Sequence, residues 1–107
     1  MSYVVNANDQ NFHEEVLESK VPVLVEFWAD WCAPCKMMSP MLDALSEEYE
    51  GLCKIVKINV GDNPNVPRNY GVRNLPTLMC FVKGNFDYAK TGAAPMKELK
   101  TMINAML

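Results

Sequence analysis

Two kinds of hydrophobic pattern alternate along the chain, one typical of buried strands and the other of amphipathic helices. Residues 21–29 are almost continuously apolar, as expected of a strand covered on both faces, and residues 52–60 resemble a second central strand. Residues 35–49 carry apolar side chains at helical spacing, with Pro40 predicting a kink and Gly51 an end. Strands that alternate with helices in this way predict an α/β layer architecture.

Shorter elements are predicted between and before these segments. Residues 3–5 form a strand candidate, and Asn8 or Asp9 can cap an amphipathic helix that follows. Asn63 and Pro64 resemble a helix cap followed by proline at the first helical position. We therefore expect one helix before the first central strand and a short one after the second.

The last third of the chain predicts a hairpin and a helix. Residues 77–82 and 86–91 flank the turn sequence of residues 83–85, and Gly92 ends the second strand. A final amphipathic helix is expected to start near Pro95. The elements follow in the order β-α-β-α-β, then a loop or short helix, then β-β-α.

Composition narrows the class of protein further. The chain has 107 residues, 50% of them hydrophobic, and a net charge of -3, which fits one folded domain over residues 1–107 and excludes a disordered chain. The sequence pI of about 5.0 leaves no basic stripe for nucleic acid, and no apolar run is long enough to span a membrane. The first residues lack a secretory signal pattern, so we expect a cytoplasmic protein.

The segment with the clearest chemistry is a pair of cysteines, Cys32 and Cys35, at the point where an apolar strand turns into a helix. Free N–H groups and the helix dipole favour a thiolate there, and Pro34 suits the first helical turn. Cys32 comes first and nearest to solvent, with Cys35 one turn further in. This placement predicts reversible dithiol–disulfide chemistry.

A structural zinc site is the alternative for the same pair. Zinc needs four ligands, usually from two such pairs, but Cys53 and Cys80 are isolated in strand-like segments and His13 is the one histidine. We expect Cys53 and Cys80 to be small buried side chains without a bridge between them, and His13 to lie on the surface. We expect no metal.

The chain resembles the thioredoxin family over essentially its whole length. The resemblance is carried by these segments, in this order: Trp28-Ala29-Asp30-Trp31-Cys32-Ala33-Pro34-Cys35-Lys36, then Pro40, Leu75-Pro76-Thr77 and Gly92-Ala93. It implies the thioredoxin fold, a mixed five-stranded sheet in the order 1-3-2-4-5 with helices on both faces.

The resemblance also implies a reaction. Cys32 would attack a substrate disulfide, Cys35 would resolve the mixed disulfide, and Pro76 would follow a cis peptide bond that faces the sulfurs. The expected partners are disulfide-containing protein substrates and a thioredoxin reductase, with no cofactor, and the chain is expected to be a monomer. The implied substrate-contacting residues are Trp31, Ala33, Pro34, Leu75, Pro76, Gly92 and Ala93.

Glu26 interrupts an apolar strand, where a carboxyl is costly unless it is protonated or paired. We expect a buried proton carrier beneath Cys35 with a pKa raised by desolvation, the alternative being a solvent-facing edge position. The family has aspartate here. Lys57 interrupts the next strand and would tune Glu26, unless it snorkels to the surface, and Trp28 would support the Cys32 loop from beneath.

Other functions on the same fold remain open. An oxidant or isomerase would usually carry histidine between the cysteines, where this chain has Ala33 and Pro34. A binding module would retain the fold with redox chemistry incidental. Thioredoxins usually have glycine in place of Ala33, so the reduction potential does not carry over from the family.

Overall fold

The computed structural model describes residues 1–107 and contains a five-stranded sheet. The strands are β1 (Val5–Ala7), β2 (Val23–Trp28), β3 (Lys54–Asn59), β4 (Thr77–Val82) and β5 (Asn85–Thr91). The helices are α1 (Ala33–Glu48), α2 (Asn65–Asn69) and α3 (Met96–Asn104), preceded by a π-helical turn at His13–Leu17. No helix is both long enough and apolar enough to cross a bilayer.

The strand order is β1-β3-β2-β4-β5, as predicted. Strand β3 runs parallel to β1 and β2, whereas β4 runs antiparallel to its neighbours β2 and β5. The parallel pairs are joined by crossovers that contain a helix, and the last two strands by a hairpin. The carboxyl end of β2 and the start of β4 therefore lie at the same edge of the sheet.

Two apolar layers cover the sheet, one on each face. Alternate strand residues such as Leu24, Ile55 and Leu78 pack with α1 and α3 in one cluster. Their neighbours, such as Phe27 and Ile58, pack with the residues around the π-helical turn and α2 in the other. The near-continuous apolar pattern of β2 thus reflects a strand buried on both sides.

The N-terminal elements differ from the prediction. Strand β1 lies two residues later than expected, and the Tyr3 N–H donates instead to the Ser46 hydroxyl at 2.9 Å. The expected helix is only a five-residue π-helical turn. Asn8 and Asn11 bond each other's backbone N–H groups at 2.8 and 2.7 Å, which forms a local turn in place of a helix start.

The predicted cap of the short helix α2 is also wrong. Pro64 occupies the N-cap position itself, and the N–H groups of Asn65 and Val66 donate to the carboxylate of Asp9 at 3.1 and 2.9 Å. Asp9, expected to cap its own segment, therefore caps a helix from another part of the chain.

Helix α1 and the hairpin match the prediction with shifted ends. Helix α1 starts two residues early, at Ala33, and continues through Pro40. Strand β5 begins at Asn85, so that Lys83 and Gly84 alone form the turn, both with positive φ. A Cβ on Gly84 would lie 2.6 Å from the carbonyl oxygen of Leu17, so this turn packs directly on the π-helical turn.

Candidate active site

The cysteine pair forms a disulfide at the N-terminus of α1. The Cα atoms of Cys32 and Cys35 are 5.3 Å apart, within the usual range for a disulfide. Cys32 is the N-cap, with extended backbone, and its sulfur accepts a hydrogen bond from the Cys35 N–H at 3.2 Å. The N–H of Cys32 donates to the Ala29 carbonyl at 3.1 Å, which fixes the loop that follows β2.

Exposure differs across the pair and its flanks. Cys32 is 8% exposed and Cys35 only 2%, so an incoming group reaches Cys32 first. Trp31, immediately before the pair, is 73% exposed. An exposed aromatic side chain next to a disulfide is typical of a surface that contacts another molecule.

The loop before β4 lies at the same edge of the sheet. The peptide bond between Leu75 and Pro76 is cis, as predicted. The Pro76 carbonyl accepts a hydrogen bond from the Gly92 N–H at 2.8 Å, which joins the predicted residues Pro76 and Gly92. Thr77, the next residue, pairs with Phe27 near the end of β2, so the Pro76 loop and the cysteine loop leave adjacent strands.

Glu26 is buried in the middle of the sheet, with 1% of its surface exposed. It pairs in register with Lys57 of β3 and Leu78 of β4, and neither carboxyl oxygen has a hydrogen-bond partner. Burial raises the pKa of Glu26 to about 7, and the Lys57 charge opposes that rise. The alternative of a solvent-facing edge position is therefore wrong, and Glu26 faces the layer that contains α1.

Lys57 is half-buried beside Glu26. Its ammonium nitrogen lies 4.6 Å from the centre of the Trp28 ring and 3.4 Å from the Ser39 hydroxyl of α1. The ring face of Trp28 attracts this cation, and the indole N–H of Trp28 is buried without a partner. Trp28 thus contacts Lys57 on the face of the sheet that also carries the Glu26 side chain.

Trp31 and Leu75, two of the predicted substrate contacts, line a groove of about 440 Å³. Its other lining residues come from the segment between β3 and β4: Val60, Pro64, Pro67, Arg68, Val72 and Arg73. None of these six residues is predicted from the sequence to belong to the site. Gly61 lies against the indole, because a Cβ there would be in ordinary van der Waals contact with the Trp31 ring at 3.4 Å.

The remaining predicted contacts do not line this groove. Ala33 and Pro34 are exposed in the first turn of α1, and Ala93 is exposed beside half-buried Gly92. Ala33 and Pro34 lie between the two cysteines on the chain, whereas Gly92 and Ala93 follow β5, where the Gly92 N–H is bonded to the Pro76 loop.

The other two cysteines are free and buried. Desolvation raises the pKa of Cys53 to about 12 and that of Cys80 to about 11, so both remain neutral thiols within the apolar layer. No group of three or more His, Cys, Asp or Glu side chains is placed to hold a metal ion. His13 is exposed and lies 3.3 Å from the Glu18 carboxylate.

Fold and site together define a class of protein: thiol–disulfide exchange proteins with a CxxC pair on a helix N-terminus beside a cis-proline loop. The Thioredoxin family model matches residues 3–105, and the chain belongs to the thioredoxin family. Its Cys32–Cys35 pair is the redox-active couple that exchanges between dithiol and disulfide.

Several relatives named thioredoxin are similar over nearly the full chain. The thioredoxin of Rickettsia felis is 46% identical over 99 residues, covering 92% of this chain and 94% of the relative. That of Pseudomonas aeruginosa is 43% identical, covering 96% and 95%. That of Synechocystis sp. is 44% identical over all of both chains.

Proposed function

We propose that this chain is a general protein-disulfide reductase in which Cys32 is the nucleophile, Cys35 the resolving thiol and Glu26 the proton carrier. A thioredoxin reductase would return the pair to the dithiol form. The observation that carries the proposal is the position of Cys32 as N-cap of α1, where the Cys35 N–H donates to its sulfur. A helix N-terminus stabilises a negative charge at that sulfur once the pair is reduced.

The first step links the substrate covalently to Cys32. The Cys32 thiolate attacks one sulfur of the substrate disulfide, the substrate S–S bond breaks, and the second substrate sulfur leaves as a thiolate that takes a proton. The product is a mixed disulfide between Cys32 and substrate. The greater exposure of Cys32 than of Cys35 supports this order of attack.

The second step releases the substrate. Cys35 gives up its proton and attacks the Cys32 sulfur, which forms the intramolecular disulfide. The substrate sulfur that Cys32 had attacked is expelled as a thiolate and takes a proton. A base is needed for the buried Cys35 thiol, and Glu26, with a pKa of about 7, is in balance between carboxylate and acid near neutral pH. The substrate gains two electrons from the two cysteines and two protons, one from Cys35 and one from solvent, to which Cys32 released its own proton on forming the thiolate.

Partners and context follow from the same chemistry. The cis-Pro76 loop and exposed Trp31 support contact with an extended substrate segment at Leu75, a form of β-augmentation. The continuous sheet from β1 to β5 supports one thioredoxin domain over residues 1–107. We propose that this domain acts as a monomer. A reductase role needs a compartment that keeps the pair reduced, and we propose the cytoplasm.

Reduction of insulin disulfides tests the proposal, with dithiothreitol or a thioredoxin reductase as electron source. The wild-type chain should accelerate reduction, and Cys32→Ser should abolish the acceleration. Cys35→Ser should accumulate a mixed disulfide through Cys32, visible by mass spectrometry, because the resolving thiol is gone. Cys53→Ser serves as a matched control and should retain full activity.

Three results would contradict the proposal. If the wild-type chain accelerates neither reaction, the binding-module alternative replaces the reductase. If Cys35→Ser turns over at the wild-type rate, the two-cysteine mechanism is wrong. If Cys35→Ser traps substrate through Cys53 or Cys80, the assignment of Cys32 as nucleophile is wrong.

A further inference from the structure

The charged residues of the groove beside Trp31 are all of one sign. The chain has two arginines, Arg68 and Arg73, and both line this groove. No acidic residue lines it, although the chain as a whole carries 13 acidic against 10 basic residues. The groove is therefore a positively charged patch on a protein of net negative charge, and it attracts negatively charged groups to this part of the surface.

Neither guanidinium is engaged within the chain. Arg68 and Arg73 are exposed, and neither forms a salt bridge or a side-chain hydrogen bond with another residue. Four other cations, by contrast, are paired: Lys54, Lys90, Lys100 and the N-terminal amine each contact a carboxylate. The nearest acidic residues along the chain, Asp30 and Asp62, lie outside the groove lining.

The groove is also the one that a substrate at the disulfide must meet. Trp31 precedes Cys32 and Leu75 precedes cis-Pro76, so two of its lining residues are chain neighbours of the reacting pair and of the expected backbone contact. In the same lining, Val60 and Val72 offer apolar contact, and the two arginines offer planar donors suited to carboxylates.

We propose that Arg68 and Arg73 select protein substrates that carry Asp or Glu next to the disulfide, whose carboxylates occupy this groove. The inference rests on the proposed reductase function and adds the substrate class to it. The two arginines act by binding and steering the substrate segment; the exchange itself stays with the cysteines. Exposed ion pairs of this kind are weak individually, so two of them give a preference of about threefold to tenfold in rate.

The test uses three synthetic peptides with the same intramolecular disulfide, flanked by Glu, Gln or Lys. Reduced wild-type protein in excess should reduce the Glu peptide about threefold to tenfold faster than the Gln peptide, and the Lys peptide more slowly still. The preference should vanish at salt on the order of 0.5 M, where exposed charges are screened over a few ångströms. Thiols released from each peptide are quantified by chromatography after acid quench.

Paired variants separate the groove from the overall charge. The double variant Arg68→Gln, Arg73→Gln should reduce the three peptides at similar rates, so that the ratio of the Glu-peptide rate to the Gln-peptide rate falls to about one. The control Lys20→Gln, Lys97→Gln removes the same charge from exposed, unpaired lysines away from the groove and should keep the preference.

Three results would overturn the inference. Equal wild-type rates for the three peptides, or a preference that survives in the arginine variant, would show that the groove does not select acidic segments. An arginine effect that is confined to reductase-driven turnover, and absent with the peptides, would assign these residues to the reductase contact instead. Failure to reduce any peptide, the neutral one included, would overturn the reductase function itself and this inference with it.

Discussion

Glu26 combines a cost to folding with a chemical capacity. The carboxyl is buried without a hydrogen-bond partner, and burial raises its pKa from an ordinary 4.5 to about 7. Below pH 4.5 both the folded and the unfolded chain hold the proton, so the ionisation of Glu26 does not affect stability. Between these values the unfolded chain ionises first, and the free energy of unfolding therefore falls as the pH rises.

Replacing Glu26 by Gln should remove this pH dependence. A tenfold change in proton affinity is worth about 1.4 kcal/mol, so wild type should lose about 3 kcal/mol between pH 4.5 and pH 7 relative to Glu26→Gln. Urea unfolding of both proteins across that range measures the difference. Glu26→Gln should also slow the release of mixed disulfides, because the base for Cys35 is gone.

Glu50→Gln is the matched control, since Glu50 is exposed and its removal should leave the pH profile of stability unchanged. A constant difference between wild type and Glu26→Gln from pH 4.5 to 7 would show that Glu26 ionises in the folded chain at its ordinary pKa. Unchanged release of mixed disulfides would remove Glu26 from the proton path.

Single residues were predictable where their type conflicts with their surroundings. Glu26 stands out as a carboxyl in an apolar strand, and Cys32 and Cys35 stand out by spacing and by their position at a strand–helix junction. Arg68 and Arg73 give no such signal, because arginine in a polar loop is ordinary. Their role depends on how the segment between β3 and β4 folds against Trp31, which no local pattern encodes.

Helix α2 depends on a contact that spans much of the chain. Five residues are too few to hold a helix alone, and its first N–H groups are satisfied by the Asp9 carboxylate. The segment before α2 also holds Asp9 in place, because the Asp9 N–H donates to the Asn63 side-chain oxygen at 3.0 Å. Helix α2 carries Arg68 and Pro67, so this cap positions one wall of the groove.

Asp9→Ala should destabilise the protein by about 0.5–2 kcal/mol, the usual cost of losing a helix cap. Amide hydrogen exchange in α2 should accelerate more than exchange in β2, because local opening of the helix becomes easier. Asp62→Ala, at an exposed site with no capping role, is the control and should change neither. Uniform acceleration across the whole sheet would show that Asp9 contributes to global stability alone.

At the scale of elements, the sequence predicted what periodicity determines and missed what long-range contacts determine. The apolar run of β2, the helical spacing of α1 and the turn of the hairpin all lie close to the predicted positions. The amphipathic pattern after Asp9 predicts a helix, but Asn8 and Asn11 bond each other's backbone N–H groups and only a five-residue π-helical turn follows.

The whole molecule separates its reactive thiols from its inert ones by depth. Cys32 lies at the sheet edge where β2 passes into α1, whereas Cys53 and Cys80 lie within the apolar layer between the sheet and helices α1 and α3. A redox protein with extra cysteines avoids unwanted exchange if those thiols are desolvated and neutral, as the raised pKa values of Cys53 and Cys80 indicate.

Alkylation of the reduced protein by iodoacetamide near neutral pH should therefore report two different processes. Cys32 should react directly in the folded state, while Cys53 and Cys80 should react only when the layer over them opens. Since domains of this size are stable by about 5–15 kcal/mol, that opening should slow both buried thiols about a thousandfold or more relative to Cys32. In denaturant the four cysteines should react at similar rates, which provides the internal control, and mass spectrometry of the digested chain assigns each site.

If the rates of Cys53 and Cys80 fall together as stabilising salts are added, global unfolding exposes both. If Cys53 reacts as fast as Cys32 in native buffer while Cys80 stays protected, the end of the sheet near Lys54 opens locally and the layer is not one cooperative unit.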